Sequence, residues 1–313
     1  MKRDFIKDVL LGVAVGDALG VPVEFKTRKS LQDDPVTGMR GYGSHHQPPG
    51  TWSDDSALTF CLAEMLCGEY NLDNLAQRFV NWEHHAYWTP HGSVFDEGIA
   101  TSAAIHRLAR GVPPVQAGGN DEGSNGNGSL MRILPLLFLV KKHDIDKRFQ
   151  ITKDVSSLTH RHIRSVIACF IYLEIALELL SGKEKMEAYQ NACATVRNFL
   201  NETATCTAEE RSYFLRILSG AIFELKEANI HSGGYVVHTL EASLWCFLNT
   251  GNYVEAVLKA VNLGEDSDTT GAVTGGLAGL FYGWQTIPEE WFAVLARRTE
   301  IEDLGRRLEK KLG

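Results

Sequence analysis

The sequence predicts an all-α protein, a single compact helical domain spanning residues 1–313. Three observations carry that expectation. Apolar residues recur at helical spacing in one segment after another. Alternating apolar–polar runs bounded by turns, the mark of half-buried strands, are scarce. No linker separates two differently patterned halves, although a chain of 313 residues has room for two domains.

Taken in order, Phe5, Ile6, Val9, Leu10 and Val13 open the chain at helical spacing. Basic Met1-Lys2-Arg3 and the apolar run Val9–Gly16 have the outline of a secretion signal. Asp4, Asp8 and Asp17 punctuate both, so a retained helix is expected instead. Residues 54–67 place Leu58, Cys61, Leu62, Met65 and Leu66 on one face and end at Gly68, a natural helix stop. The same periodicity predicts helices over 72–84, 97–110, 130–143, 162–181, 184–202, 208–229, 236–249, 253–263, 270–283 and 299–312. Two long Gly/Pro-rich stretches, 20–52 and 111–129, interrupt the series; loops of that length in a compact domain are usually functional or disordered.

Lys+Arg total 31 against Asp+Glu 39, a net charge of −8, which argues against a broad nucleic-acid-binding face. A small anion held by backbone N–H groups is still compatible with it. The six cysteines form no CxxC pair and no zinc spacing, and read as thiols in a reducing, cytoplasmic compartment. No apolar stretch approaches the ~20 residues of a membrane span. A monomer is the default expectation.

Two acidic segments sit where a helix begins: Thr51-Trp52-Ser53-Asp54-Asp55-Ser56 and Glu265-Asp266-Ser267-Asp268-Thr269-Thr270-Gly271. Each alone suits helix capping and the helix dipole. Together they hold more carboxylates than capping needs, and an extended backbone at 266–268 would aim both side chains the same way. Like charges packed together cost energy unless a cation compensates. Glu24 offers a further carboxylate from the first long loop. Oxygen ligands without His or Cys suit Mg²⁺, Mn²⁺ or Ca²⁺. The pairs His45-His46 and His84-His85 stand isolated from any ligand spacing, and the basic residues after Arg297 alternate with acids as on a solvated helix face.

Gly12-Val13-Ala14-Val15-Gly16-Asp17-Ala18-Leu19-Gly20 with Glu24, then Thr51–Ser56, Asn127-Gly128-Ser129-Leu130-Met131-Arg132 and Gly264–Ala272 resemble, in order, the motifs of the ADP-ribosylglycohydrolases, relatives of dinitrogenase reductase-activating glycohydrolase. The resemblance implies one all-α domain with a cleft holding two divalent cations, Mg²⁺ or Mn²⁺. It implies Ser53, Asp54 and Asp55 as one ligand group and Asp266, Asp268 and Thr269 as the other; the family often has Thr where Ser53 stands. Glu24 matches a mobile loop glutamate. Asp96 matches a rim aspartate that meets the guanidinium in arginine-directed members, although Ile99-Ala100-Thr101-Ser102 follows where relatives commonly have a Thr pair.

Asn127, Gly128, Ser129 and Leu130 match the ADP-ribose cradle, and a helix beginning near Leu130 would direct N–H groups at a pyrophosphate. His160 and Tyr235 match ligand contacts. Arg132 and His238 receive no role.

The implied activity is metal-dependent removal of ADP-ribose from a modified protein, arginine-linked first, with Asp55 or Glu24 managing the proton. Serine-linked or small-molecule ADP-ribosyl substrates are the nearest alternatives. A di-metal phosphohydrolase and a non-catalytic, transferase-blocking immunity protein are the others.

Overall fold

The computed structural model describes residues 3–313; Met1 and Lys2, from the basic N-terminus, lie outside the described residues. Among those residues, eleven helices run eight residues or longer. They are α1 (Phe5–Gly20), α2 (Asp54–Leu66), α3 (Leu72–His85), α4 (Ile99–Ala109), α5 (Ile145–Ser156), α6 (Ile163–Leu180), α7 (Lys185–Glu202), α8 (Val236–Leu248), α9 (Tyr253–Val261), α10 (Ser267–Tyr282) and α11 (Arg298–Leu312). No strand forms among the described residues, and β-type pairing is limited to isolated bridges at Gly119–His160 and Gly126–Tyr235.

Helices α1 and α10 form the buried centre. They approach backbone to backbone because glycines face each other across the pair. A Cβ on Gly16 would lie 2.1 Å from the Gly271 carbonyl oxygen, and one on Gly271 would lie 2.3 Å from that of Gly16. Ser267 Oγ donates to the Gly20 carbonyl at 2.9 Å, locking the end of α1 to the start of α10. The apolar run Val9–Val15 is therefore interior, as its helical spacing predicts. One continuous core surrounds the pair. Helix α11 closes it with Ile301, Leu304, Leu308 and Leu312 inward, while Arg298, Arg306 and Arg307 pair with acids outside.

Two expected helices are broken. Over 130–143, residues 128–132 are turns, Leu134–Leu136 is a 3₁₀ turn, and regular helix is confined to Leu137–Val140. Pro135 lacks an N–H and its ring would clash one turn back, so a continuous helix cannot form there. Over 208–229, helices Ala208–Ser212 and Leu215–Leu218 give way to 3₁₀ turns, with Gly220 at φ +79° between them. Helix α5 was not expected from its charged sequence. Asp144 caps it, accepting the Lys147 N–H at 2.9 Å, and Phe149, Thr152 and Val155 are buried along one side.

Candidate active site

The packing of α1 on α10 brings three helix ends together. Asp17, near the end of α1, accepts the backbone N–H of Ser53 at 2.9 and 3.1 Å and that of Ser56 at 3.0 Å. This fixes the N-terminus of α2, where Ser53 accepts the Asp55 N–H at 3.2 Å and Asp54 and Asp55 occupy the first turn. Opposite, Asp266 stands at the N-cap of α10 and Asp268 lies in its first turn. The 266–268 backbone is thus a helix start, not the extended stretch expected; the two carboxylates converge because the helix begins between them. Both helix N-termini point positive ends at the acids.

The carboxylates form one chain of close groups. Oxygens of Asp17, Asp55 and Asp268 lie within 4.8 Å of one another, as do those of Glu24, Asp266 and Asp268. Glu24 is held over α10 by reciprocal backbone bonds, Phe25 N–H to Glu265 O at 2.6 Å and Glu265 N–H to Lys26 O at 2.8 Å. Several oxygens have donors: Asn127 Nδ2 donates to Asp266 Oδ2 at 2.7 Å, and the Thr269 N–H to Asp268 Oδ1 at 2.9 Å. Asp55 Oδ2, Asp266 Oδ1 and Asp268 Oδ2 are buried with no partner.

Burial, then the neighbouring carboxylates, pushes Asp54, Asp55 and Asp268 well above the usual carboxylate range. Burial, then Asp96 and Asp266, pushes Glu24 up to about 10. A buried all-oxygen set of mutually repelling acids with unpartnered oxygens is what a hard divalent cation requires. The residues present fit such an ion.

Above this floor opens a cavity of about 220 Å³, walled by Glu24, Asp54, Asp96, Asp266 and Thr269 on one side and by the 126–128 loop, His160 and Gly234 on the other. The loop is narrow by necessity: a Cβ on Gly128 would lie 2.8 Å from both His160 Cε1 and Thr101 Oγ1. Asn127 N–H donates to Gly234 O at 3.1 Å, and Val236 N–H to Asn125 O at 3.0 Å. Arg132 is buried beneath, donating to the carbonyls of Gly128 and Val155 with its guanidinium over Phe79, so it braces the loop from behind. His160 is buried, and burial together with Arg132 lowers its pKa to about 3; it is a neutral ring.

A sequence model of the family described as ADP-ribosylglycohydrolase matches residues 1–313. The chain belongs to the ADP-ribosylglycohydrolase family. It is 30% identical over 308 residues to the ADP-ribosylarginine hydrolase Tri1 of Serratia proteamaculans, covering 97% of this chain and 79% of that one. It is 29% identical to the ADP-ribosyl-[dinitrogen reductase] glycohydrolase of Rhodospirillum rubrum, over 93% and 90% of the two chains. A solved structure described as an ADP-ribosylglycohydrolase-related protein complex superposes with a TM-score of 0.82 at 32% identity, over 100% of both chains. The protein is accordingly an ADP-ribosylglycohydrolase, an enzyme that hydrolyses ADP-ribosyl bonds.

Within this glycohydrolase the cleft gathers the side chains of Glu24, Asp54, Asp96, Asn127, His160, Asp266 and Thr269 on its walls, with Ser53, Asp55 and Asp268 buried below. The side chains of Ser129 and Leu130 turn away: Ser129 bonds Ser156 at 2.9 Å, and Leu130 joins the core. The helix expected to start there is replaced by turns, and residues 126–128 line the cavity as a loop. Tyr235 is half-buried just past Gly234, edge-on to His238 at 5.0 Å.

Two residues escaped the sequence reading. Asp17 looked like the end of an apolar run, and its position inside an apolar segment is the signal that could have found it. His45, expected to be isolated, contacts Glu24 through Nε2, lies 3.8 Å from Asp96, and packs between the rings of Phe25 and Phe95. Nothing in its sequence context marks it.

Proposed function

We propose that this cleft removes ADP-ribose from modified protein side chains, arginine-linked modification first, with two divalent cations, Mg²⁺ or Mn²⁺, held by Ser53, Asp54, Asp55, Asp266, Asp268 and Thr269. The observation that carries the reading is the set of three buried, unpartnered carboxylate oxygens on Asp55, Asp266 and Asp268. Bound there, such cations would hold the vicinal hydroxyls of the ribose and lower the pKa of a water.

The remaining work falls to the chain. Gly126 and Gly128, having no side chain, let the loop backbone approach the pyrophosphate, and neutral His160 supports that loop without adding charge. Tyr235 offers a flat face beyond Gly234 for the adenosine end. Glu24 reaches the cavity while Asp55 lies under it, so Glu24 is the better placed carboxylate to take up or return a proton at the scissile bond. His45 fixes its direction. Asp96, on the rim, is placed to pair with a guanidinium as it leaves. The six unpaired cysteines support a reducing, cytoplasmic setting.

The test is release of ADP-ribose from arginine- and serine-modified proteins with Mg²⁺ or Mn²⁺. EDTA and an Asp266→Asn/Asp268→Asn variant serve as controls. Release that persists undiminished in both controls would remove the cation reading; a preference for serine linkage would remove the role of Asp96.

A further inference from the structure

A second group of ligating side chains lies on the outer side of the cleft wall. Glu83 and His84 lie in the last turn of α3, and His106 lies in the last turn of α4. One atom from each lies within 4.8 Å of the others. Glu83 is the centre of the group. Its side chain is only 8% exposed, Oε1 accepts from Ser102 Oγ at 2.7 Å, and Oε2 is buried with no hydrogen-bond partner. His84 Nε2 stands 3.3 Å from Oε2, and His106 Nε2 stands 3.7 Å from Oε1. The carboxyl of Glu97 lies against that of Glu83, and its own Oε1 is buried and unpartnered.

Both imidazole separations exceed the ~2.7–3.2 Å of a direct N–H···O bond. The 3.3 Å between His84 Nε2 and Oε2 is the ~3.3 Å spacing of two ligands bound at ~2.0–2.2 Å to one tetrahedral ion, and His106 Nε2, 3.7 Å from the other carboxylate oxygen, lies just beyond that spacing. The donor chemistry differs from that of the cleft floor. Two imidazole nitrogens and a carboxylate select a borderline ion such as Zn²⁺, whereas the all-oxygen floor selects a hard one. Both imidazoles are open to solvent, which gives an entry path and leaves the fourth position to water.

We propose that Glu83, His84 and His106 form a Zn²⁺-binding site that clasps the end of α3 to the end of α4. Its place ties it to the cleft, because Ser102, bonded to Glu83, follows directly on Thr101 in the cavity wall. Occupancy would steady the Gly98–Thr101 segment without contributing a ligand to the catalytic floor.

The test is Zn²⁺ titration of the full chain under saturating Mg²⁺, by calorimetry or equilibrium dialysis. Asp266→Asn/Asp268→Asn, His84→Ala and His106→Ala variants are run alongside. One equivalent should bind, survive the double aspartate change, and weaken in each histidine variant by no less than the ~10–100-fold that losing an outer-shell partner costs. Co²⁺ in the unmodified chain should give the visible bands of tetrahedral coordination. These read the site without any variant. Absence of a Zn²⁺ equivalent under Mg²⁺, unchanged affinity in the folded histidine variants, or an octahedral Co²⁺ spectrum would each overturn the proposal.

Discussion

Asp17 caps a helix to which it does not belong: its Oδ2 accepts both the backbone N–H and the Oγ–H of Ser56 on α2. The same carboxylate takes the Ser53 N–H, so one buried side chain on α1 satisfies two of the orphan donors at the start of α2. That bond network sets where Asp54 and Asp55 stand. An Asp17→Asn change keeps the volume but turns an amide NH₂ toward N–H donors. With Mg²⁺ saturating, it should lower stability by about 1–3 kcal/mol, the cost of buried donors left unpaired. Denaturant unfolding measures this; an unchanged midpoint would mean that Asp17 does not hold α2.

The glycine contact between α1 and α10 makes a sharper prediction. A methyl on Gly16 would meet the Gly271 carbonyl at 2.1 Å, and neither helix backbone can yield locally. Gly16→Ala should cost at least about 1–3 kcal/mol and weaken cation binding, because separating the helices spreads Asp17 from Asp268. Gly68→Ala, whose new methyl would stand no nearer than 3.5 Å to a neighbour, should stay within about 0.5 kcal/mol of the parent. Thermal melts and Mg²⁺ titration of the two variants decide it.

These two cases show what the sequence made legible. Helical periodicity located α1, α2, α3, α4, α6, α7, α8, α9, α10 and α11, both where a helix buries one apolar stripe, as α3 and α11 do, and where it buries nearly its whole surface, as α2, α6 and α8 do. It failed where a local rule broke the period, at Pro135 and Gly220, and at α5, where charged residues interrupt the apolar ones and the Asp144 cap marks the start. The acids of the floor were readable because carboxylates in excess of capping need a reason to crowd. Asp17 and His45 were not, because their partners are distant in sequence: Asp17 meets α2 only after α1 packs, and His45 reaches Glu24 only through the course of a loop. The Glu83–His84–His106 group was hidden for the same reason, its ligands being divided between two helices.

Cations should stabilise the fold as well as serve the chemistry. Burial and mutual repulsion oppose ionisation of Asp54, Asp55 and Asp268, so the metal-free protein carries an electrostatic cost that a divalent ion relieves. Mg²⁺ or Mn²⁺ at about 100 times its Kd should add about 2.7 kcal/mol for each ion bound, and EDTA should reverse it. Asp266→Asn should melt higher than the parent in EDTA, through loss of one buried charge, and respond less to added ion. Differential scanning calorimetry with and without EDTA reads both signs at once.

His160 gives the pH prediction. Its pKa is about 3 in the folded protein against 6.5 for a free side chain, through burial and the nearby Arg132 guanidinium. The unfolded chain therefore takes up a proton that the folded one refuses. This contribution to stability is full above pH 6.5 and is lost as the pH falls toward 3. Between pH 7.5 and 5.5 it amounts to about 1.4 kcal/mol, because each pH unit below the unfolded value costs about 1.36 kcal/mol. His160→Gln cannot titrate there, so its stability difference between those two pH values should be smaller by about that amount, whatever its absolute stability. Urea unfolding of both proteins at pH 7.5 and 5.5 supplies the comparison. Equal acid sensitivity would show that His160 is already protonated in the fold, and the ring behind the Gly128 loop would then carry the charge that its burial argues against.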